Sequence, residues 1–532
     1  MILERRLLVM ALVALSVNLS VLATNSVYTN LPGTLGLAVP NASNVADMAV
    51  AARRQEQADL RRTNYPAWRA QFPERDLSPR PADGANLALT IRKLEQGFDP
   101  DRPFLIWAVG SSWTGGLGRG DTLKQRIRER FPNAPEIVYK IAIGSSMPYQ
   151  YSRGWVNQFV IPDQPDLILF YQHGETGDLE AMLRDIKSKC TADVILGSVH
   201  IVRNEGSLVD KVIDTPYWTN KIVVARKYNC EWVDNRRECA QYMKEHNLPL
   251  FTDEKGKDAF LGDKVHQSPH GGLIINENFF RHFSHAQKVS VQPEEVERRL
   301  NVVDCKSIRT NETVTPGSGW TFSAQTLVSS TAGAPLRVIF QGNRIDLIGV
   351  LSSTGGTVRI LLDGQPAENV AAFFTTAVKT GPHNSGVVGY VKERAPHWIQ
   401  LGSNIIPQTW TITTTDAADN YELCGAVTGP DGKGDTLHPF TSNSGQIIID
   451  PYYWRNPRGY KAAETWTFDV VRATLGEISF TGEAGKKFRA KVARNLSNSE
   501  HTLDVISDGA GPVAIVGFDV FEPPLHLPAV LP

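Results

Sequence analysis

The central part of the chain alternates short apolar runs with amphipathic stretches. The apolar runs suit buried parallel strands, and they cover residues 104–109, 136–143, 166–171 and 193–199. Stretches with helical spacing lie between them, as at 122–131 and 179–189. Because strands that alternate with helices build a parallel sheet covered on both faces, residues 91–290 are predicted to form a three-layer α/β/α domain.

The pattern changes after residue 295 to short strands without helical periodicity. The predicted strands are residues 336–340, 344–350, 357–362, 446–449, 465–471 and 514–521. Gly, Asn, Asp, Ser and Thr separate them, and Gly355-Gly356 and Asp363-Gly364 are turn dipeptides. Residues 295–525 are therefore predicted to be an all-β domain, most simply a β-sandwich.

The first 23 residues have the pattern of a secretory signal peptide. Arg5 and Arg6 precede an apolar stretch that ends in the small-residue context Val21-Leu22-Ala23. The alternative is an uncleaved membrane anchor, but the stretch is short and contains Asn18. We expect cleavage, a secreted or periplasmic location, and no membrane contact in the mature protein.

Residues 24–90 are predicted to be an N-terminal extension that packs across the next domain, because they hold too few large apolar residues for a core of their own. The whole chain has 532 residues, 42% of them apolar, and a formal net charge of −1. The sequence has no Lys/Arg-rich run of the kind that binds the phosphates of nucleic acid, so nucleic acid is not an expected partner.

The chain has five cysteines, of which Cys230 and Cys239 are close in sequence and are the first candidate disulfide. The alternative is that all five are buried thiols. No Cys/His spacing resembles a zinc site, so neither a metal nor another cofactor is expected.

A candidate nucleophile follows the first predicted strand, in the sequence Gly110-Ser111-Ser112-Trp113-Thr114. A strand that ends in a small, polar turn presents a hydroxyl at the carboxyl edge of the sheet, where open α/β sheets bind ligands. A serine needs a base and a group that orients the base. Asp263 and His266, three residues apart before the last predicted helix, can supply both.

These motifs resemble the SGNH/GDSL hydrolase superfamily. The segment 110–114 is similar to its first block, Gly-Asp-Ser-x-Thr, with Ser111 in place of Asp, and Asp263-x-x-His266 is similar to its last block. The resemblance covers about residues 100–285 and implies a flavodoxin-like three-layer α/β/α domain. It also implies that Ser112 is the nucleophile and that Asp263 and His266 are the acid and base.

The second and third blocks of that family supply the oxyanion hole. Residues 141–144 resemble the second block, so the N–H groups of Gly144 and Ser112 would hold the oxyanion. The third block departs from the family pattern, because Glu175 stands where an asparagine is expected and an ionised carboxylate cannot donate a hydrogen bond. Gln172 or His173 could donate instead, with His173 favoured, or the two amides could act alone.

Several aromatic and basic residues are candidates for substrate binding. Trp113 and His200 lie near the predicted site, and each has a structural alternative, in the core or as a satisfied histidine. Residues 342–349 and 358–364 resemble jelly-roll modules that are appended to carbohydrate esterases. Tyr453-Trp454-Arg455 in the same region could stack on sugars and bind their hydroxyls, or its aromatic rings could fill the core.

The sequence therefore predicts a secreted serine esterase that removes short acyl groups, chiefly acetyl, from an acylated polysaccharide or oligosaccharide. Two alternatives stay open. One is an acyltransferase or lipid esterase that uses the same triad. The other is a carbohydrate-binding protein with an inactive hydrolase domain, which the missing third-block asparagine would explain.

Overall fold

The computed structural model describes residues 52, 55–143, 149–203, 215–254, 257–303, 309–380, 396–416, 419–454, 461–474 and 476–526. The predicted signal peptide, Gly144 and Arg455 lie outside the described residues. The chain divides into two compact units, residues 1–56 and residues 57–532. Everything below concerns the second unit.

A five-stranded sheet forms the centre of the α/β domain. Its strands are β1 (Phe104–Gly110), β2 (Ile137–Ile143), β3 (Leu167–Tyr171), β4 (Asp193–Gly197) and β5 (Glu231–Val233). All neighbouring strands are parallel, in the order β2-β1-β3-β4-β5. The four predicted strands are confirmed. β5 was not predicted, because its three residues form no apolar run of strand length.

The main α-helices of this part of the chain are α1 (Tyr65–Arg69), α2 (Ala88–Gln96), α3 (Ser112–Gly116), α4 (Asp121–Arg130), α5 (Tyr149–Trp155), α6 (Thr176–Lys189), α7 (Pro216–Lys227), α8 (Asn235–Glu245), α9 (Pro269–Arg281) and α10 (Pro293–Val296). A π-helical segment (Val156–Val160) and a short α-helical turn (Ile161–Asp163) follow α5. None of the helices in the described part of the chain is both long and apolar enough to span a membrane.

Helices cover both faces of the sheet, because successive side chains of a strand point to opposite faces. Phe104, Ile106 and Ala108 of β1 pack in one core with α2, α4, α8 and α9. Trp107 and Val109 pack in a second core with α5, α6 and α7. The two cores explain why the strands are apolar on both sides and were recognisable as buried runs.

The end of the N-terminal extension lies against α9. Trp68 of α1 is buried together with Tyr65 and Leu273. The Arg69 guanidinium donates to the Glu277 carboxylate at 2.9 Å, and both side chains are buried. The extension thus shares its small core with the α/β domain.

The region after residue 295 consists of antiparallel strands. They are β6 (Glu297–Asn301), β7 (Thr313–Pro316), β8 (Thr321–Ser323), β9 (Thr326–Ser329), β10 (Pro335–Gly342), β11 (Arg344–Val350), β12 (Thr357–Leu362), β13 (Gln365–Pro366), β14 (Phe374–Thr380), β15 (Gln400–Leu401), β16 (Gln408–Thr414), β17 (Asn420–Gly425), β18 (Gly429–Asp435), β19 (Phe440–Thr441), β20 (Ile447–Ile449), β21 (Thr465–Arg472), β22 (Glu477–Ser479), β23 (Lys487–Ala493), β24 (Ser499–Ser507) and β25 (Val513–Phe521).

These strands form four sheets, which is more than one simple sandwich. Two six-stranded sheets use strands from both ends of the region, with β12, β24 and β10 in one and β11, β25 and β9 in the other. The segment between β13 and β22 adds a five-stranded and a three-stranded sheet. One hydrophobic core runs through all of them. The strand pattern predicted the β character but not this insertion, since periodicity does not specify pairing partners.

The β region packs directly on the α/β domain. Gln158 donates to the Thr376 hydroxyl and carbonyl at 2.8 and 3.0 Å. The Tyr452 hydroxyl donates to the Asp178 carboxylate, in the first turn of α6, at 2.6 Å. Tyr452 therefore lies beside α6 of the α/β domain.

The proposed disulfide between Cys230 and Cys239 does not form. Both residues are free, buried thiols in the structure. Burial raises the pKa of Cys230 to about 11 and that of Cys239 further. A buried, protonated thiol behaves as a small hydrophobic group.

A buried ion cluster lies at the amino ends of the strands, opposite the candidate site. The Asp166 carboxylate accepts hydrogen bonds from Lys93 at 2.9 Å, from Arg102 at 2.8 and 2.9 Å, and from the Leu105 N–H at 2.9 Å. Burial acts to raise the pKa of Asp166, but Lys93 and Arg102 outweigh it and hold that pKa well below its usual range. Lys93 also contacts Glu297 of β6 at 2.7 Å, so the cluster joins the two domains.

We expect Asp166→Asn to lower the free energy of unfolding by about 3–5 kcal/mol at neutral pH, because it removes one partner from a buried ion cluster. The carboxylate contributes its full stabilisation above the pKa of an unfolded aspartate, about 3.9, and loses it as the pH falls toward the lower folded pKa. Urea denaturation should therefore show a difference from wild type that narrows below about pH 4.

The matched control is Glu254→Gln, which removes an exposed ion pair with Lys257 at 3.1 Å. Exposed pairs contribute little to stability, so this variant should unfold close to wild type. Equal losses in the two variants would show that Asp166 has no special structural role.

Candidate active site

The turn after β1 places Ser112 at the first position of α3. Ser111 is the N-cap of that helix, and its hydroxyl accepts a hydrogen bond from the Trp113 N–H at 3.3 Å. Ser111 is buried, whereas Ser112 is exposed. The residue that replaces the family's aspartate thus caps the helix that carries Ser112.

A close approach between α3 and the end of β3 explains the glycine before the two serines. A Cβ on Gly110 would collide with the Thr114 hydroxyl and with the Tyr171 carbonyl. The Thr114 hydroxyl donates to that carbonyl at 2.7 Å in a buried hydrogen bond. The start of α3 is therefore fixed to the carboxyl end of the neighbouring strand.

The three predicted catalytic side chains are in contact. Ser112 Oγ lies 2.9 Å from His266 Nε2. His266 Nδ1 lies 2.9 Å from Asp263 Oδ2 and 3.2 Å from Oδ1. The histidine and aspartate side chains are each 42% exposed. The arrangement is that of a nucleophile, a base and an orienting acid that is open to solvent.

The Asp263 carboxylate determines which nitrogen of His266 carries the proton. Its Oδ1 accepts the backbone N–H groups of Val265 at 2.8 Å and His266 at 2.6 Å. Burial acts to raise the pKa of Asp263, but these hydrogen bonds and the imidazole outweigh it and lower that pKa below its usual value. An ionised carboxylate only accepts hydrogen bonds, so Nδ1 carries the proton and the lone pair of Nε2 faces Ser112.

His200 lies behind the loop that carries His266. It is 0% exposed, and its Nε2 is 2.8 Å from the Val265 carbonyl oxygen. A carbonyl only accepts, so Nε2 donates and Nδ1 accepts from the Tyr171 hydroxyl at 2.7 Å. This residue, predicted as a candidate for substrate binding, is placed as a buried link between the end of β3 and the His266 loop.

His173 lies next to the tryptophan that follows Ser112. The rings of His173 and Trp113 have their centroids 4.9 Å apart. His173 Nδ1 is buried and has no hydrogen-bond partner among the described residues. Burial, and then the charge of Lys221, lower the pKa of His173 below its usual value, which favours a neutral imidazole.

Gln172, the other candidate for the third oxyanion donor, and Glu175, at the position of the expected asparagine, lie in different environments. Gln172 is only 1% exposed, and its amide donates to the Ser152 hydroxyl at 2.7 Å. Glu175 is exposed at the start of α6. Of the residues considered in the sequence, His173 is the one with an uncommitted nitrogen beside Trp113. Gly144, the predicted second-block donor, is not among the described residues.

The predicted aromatic cluster of the β region is mainly a packing feature. Trp454 is 3% exposed and contacts the rings of Tyr421 and Trp466 in the core. Tyr453 is half-buried, with its ring edge-to-face against Trp398 at 4.9 Å. Arg455 lies outside the described residues.

Two further residues support the site and were not predicted. Gln267 is buried, and its amide donates to the Trp113 carbonyl at 2.6 Å, which ties the His266 loop to α3. The Tyr217 hydroxyl accepts the Gly174 N–H at 3.0 Å. Gln267 could have been identified from the sequence because it directly follows His266. Nothing in the sequence pattern indicates that Tyr217 contacts the end of β3.

The β region contains a second Asp-x-x-His turn, at Asp435 and His438. His438 Nδ1 is 3.0 Å from both carboxylate oxygens, and the N–H groups of Leu437 and His438 donate to Oδ1 at 2.7 and 2.9 Å. This is the same pattern as at Asp263 and His266. In the described part of the chain no hydroxyl contacts the ring of His438, so it is the serine that distinguishes the candidate site.

Comparison with known proteins gives similarity at the level of structure. No family model and no curated protein sequence matches the chain. A two-domain esterase active on acetylated mannans, crystallised with mannopentaose, is 11% identical with a TM-score of 0.30, over 85% of this chain and 98% of that chain. An acetylxylan esterase from Geobacillus stearothermophilus is 18% identical with a TM-score of 0.28, over 37% and 100%.

A family two carbohydrate esterase from Clostridium thermocellum, whose structure is that of an active-site mutant, is 10% identical with a TM-score of 0.17, over 41% of this chain and 34% of that chain. The solved structures that this chain is similar to thus include carbohydrate esterases. The identities and TM-scores are too low to transfer an activity or a set of site residues to it.

Proposed function

We propose that the protein is a secreted serine esterase of SGNH type that removes short acyl groups, chiefly acetyl, from a polysaccharide. The contact of an exposed Ser112 hydroxyl with the Nε2 of an Asp263-oriented His266 carries the proposal. The strand order β2-β1-β3-β4-β5 supports it as well, because it is the order of flavodoxin-like sheets, which bind ligands at the carboxyl ends of their strands.

In the first step Ser112 Oγ attacks the ester carbonyl carbon while its proton passes to His266 Nε2. The imidazolium that forms is stabilised by the Asp263 carboxylate on Nδ1. Collapse of the tetrahedral intermediate breaks the bond to the sugar oxygen, which takes the proton from Nε2. The products are a free sugar hydroxyl and an acyl-enzyme ester on Ser112.

In the second step water attacks the acyl-enzyme, and His266 Nε2 takes one of its protons. The second intermediate collapses with return of that proton to Ser112 Oγ and release of the carboxylic acid. No cofactor is needed, because the water and the ester supply all the atoms of the products.

The oxyanion of both intermediates needs preorganised N–H donors. We assign this role to the Ser112 and Gly144 N–H groups and to the His173 ring. Ser112 is the first residue of α3, where backbone N–H groups have no partner within the helix. The neutral imidazole of His173, beside Trp113, provides the third donor in place of the family's asparagine.

The substrate class rests on the sequence. A predicted export signal and a β region that resembles modules of carbohydrate esterases point to an extracellular polysaccharide. The sequence shows no long apolar segment of the kind that forms the lid of a lipase, so a lipid substrate is not favoured. An acyltransferase would use the same triad and would be recognised by transfer of acyl groups to sugar hydroxyls. Acetate release from acetylated mannans, xylans and pectins would identify the polysaccharide.

We expect Ser112→Ala to lower kcat for p-nitrophenyl acetate by at least about 10⁴-fold, because no other group can form the acyl-enzyme. The same variant should lose labelling by a fluorophosphonate. Ser111→Ala is the matched control, since it removes the neighbouring hydroxyl and leaves the nucleophile. Labelling of Ser111→Ala and not of Ser112→Ala is the expected outcome, whereas an unlabelled wild-type protein would favour the inactive carbohydrate-binding alternative.

We expect Asp263→Asn to lower kcat by about 10⁴-fold at neutral pH, by analogy with the cost of a wrong histidine tautomer in serine proteases. Two backbone N–H groups hold the Oδ1 position, so the amide nitrogen would take the Oδ2 position and donate to His266 Nδ1. The proton would then sit on Nε2, facing Ser112. Wild-type activity in this variant at neutral pH would contradict the assigned acid.

We expect His173→Ala to lower kcat by about 10²–10³-fold with little change in KM, because the lost donor acts on the transition state. His173→Asn, which restores a neutral donor, should recover part of the loss. Steady-state kinetics on a soluble acetyl ester measures both. An unchanged kcat in His173→Ala would contradict the role of His173 and would mean that the oxyanion is bound by the N–H groups of Ser112 and Gly144 alone.

A further inference from the structure

A buried lysine lies behind the proposed oxyanion donor. Lys221, in α7, is 0% exposed. Its Nζ donates to the Tyr217 carbonyl at 3.1 Å and lies 3.2 Å from the centroid of the Tyr217 ring. Among the described residues no carboxylate forms an ion pair with it. A buried cation without a carboxylate partner costs free energy, so its presence requires an explanation.

Tyr217 connects this lysine to the site. Its hydroxyl accepts the N–H of Gly174, the residue that follows His173, at 3.0 Å. One face of its ring is in contact with the Lys221 ammonium. The ring therefore bridges the buried charge and the backbone of the segment that carries His173.

The charge of Lys221 also acts on His173. Burial lowers the pKa of Lys221 to about 8, against the influence of Glu175, so the ammonium form predominates at neutral pH. After burial, this ammonium is the second cause that lowers the pKa of His173. Lys221 and Glu175 are the charged groups that act on this pair from α7 and from the start of α6.

We propose that Lys221 is a positioning residue of the site: it supports Tyr217, which holds the His173–Gly174 segment, and its charge adds to burial in keeping His173 neutral. This role rests on the proposed function, in which His173 donates to the oxyanion. It adds a group that touches neither the substrate nor the reacting atoms.

A neutral His173 suits the reaction better than a charged one. When Ser112 attacks, His266 becomes an imidazolium, and a second imidazolium across the site would disfavour that proton transfer by like-charge repulsion. A neutral imidazole still offers one N–H to the oxyanion, which is the requirement for a hydrogen-bond donor. Lys221 holds its positive charge against a face of the Tyr217 ring, and this charge adds to the effect of burial on the protonation of His173.

The test is Lys221→Met, which keeps the length of the side chain and removes the charge. Histidine NMR in a Ser112→Ala background would follow the titration of His173, assigned by the resonance lost in His173→Gln. We expect the pKa of His173 to rise in Lys221→Met toward the ordinary value of about 6.5. In the active enzyme, kcat at acidic pH should then fall further in Lys221→Met than in wild type, with KM unchanged.

Lys227→Met is the matched control, because Lys227 lies on the same helix, is 61% exposed and pairs with Glu180. It should change neither the titration nor kcat. Tyr217→Phe separates the two parts of the role, since it removes the acceptor of the Gly174 N–H and keeps the ring. We expect Tyr217→Phe to lower kcat while the pKa of His173 stays as in wild type. If Lys221→Met does not fold, Tyr217→Phe still tests the positional role.

Identical titrations of His173 in wild type and Lys221→Met would overturn the electrostatic role, and a Tyr217→Phe variant with wild-type kcat would overturn the positional one. The NMR result does not depend on catalysis. A shifted titration in an enzyme without Ser112-dependent esterase activity would therefore refute the proposed function and leave the Lys221–His173 coupling in place.

Discussion

The candidate site depends on the pairing of two strand ends. Gly110, the last residue of β1, lies in register with Tyr171, the last residue of β3. Ser112 lies two residues after Gly110, and His173 lies two residues after Tyr171. The Tyr171 hydroxyl is hydrogen-bonded to the buried His200, which in turn donates to the Val265 carbonyl in the loop of His266. The end of β3 is thereby connected to that loop as well. A shift of this register would move the proposed nucleophile, oxyanion donor and base relative to one another.

The sequence predicted this edge because its elements are local or strongly patterned. Strands buried on both faces appear as unbroken apolar runs, and a Gly-Ser-Ser turn after one of them marks the edge where parallel strands end. The contact between Asp263 and His266, the proposed acid and base, was also predictable, since three residues of separation suffice for a turn in which a carboxylate contacts an imidazole. The twin turn at Asp435 and His438 shows that such a turn needs no active site around it.

What the sequence did not predict depends on long-range packing. β5 is too short for a periodic pattern, and the two six-stranded sheets of the β region depend on pairings between distant strands, such as β10 with β24 and β11 with β25. His200 is buried, in line with the structural alternative given for it, but its partners Tyr171 and Val265 were not predicted. Lys221 is buried beneath a tyrosine ring, and no pattern in the sequence indicated this. Burial and partners of single polar residues follow from tertiary structure, which propensity does not encode.

The two contacts of His266 differ in how the chain makes them. The contact with Asp263 spans three residues, whereas the contact with Ser112 spans 154 and needs the sheet, α3 and the last loop in place together. The acid–base pair can therefore assemble early and locally, while the serine acquires its base only when the domain has closed. The contact on which the proposed nucleophilicity of Ser112 depends is thus a property of the completed fold, and its appearance during refolding would time this long-range step.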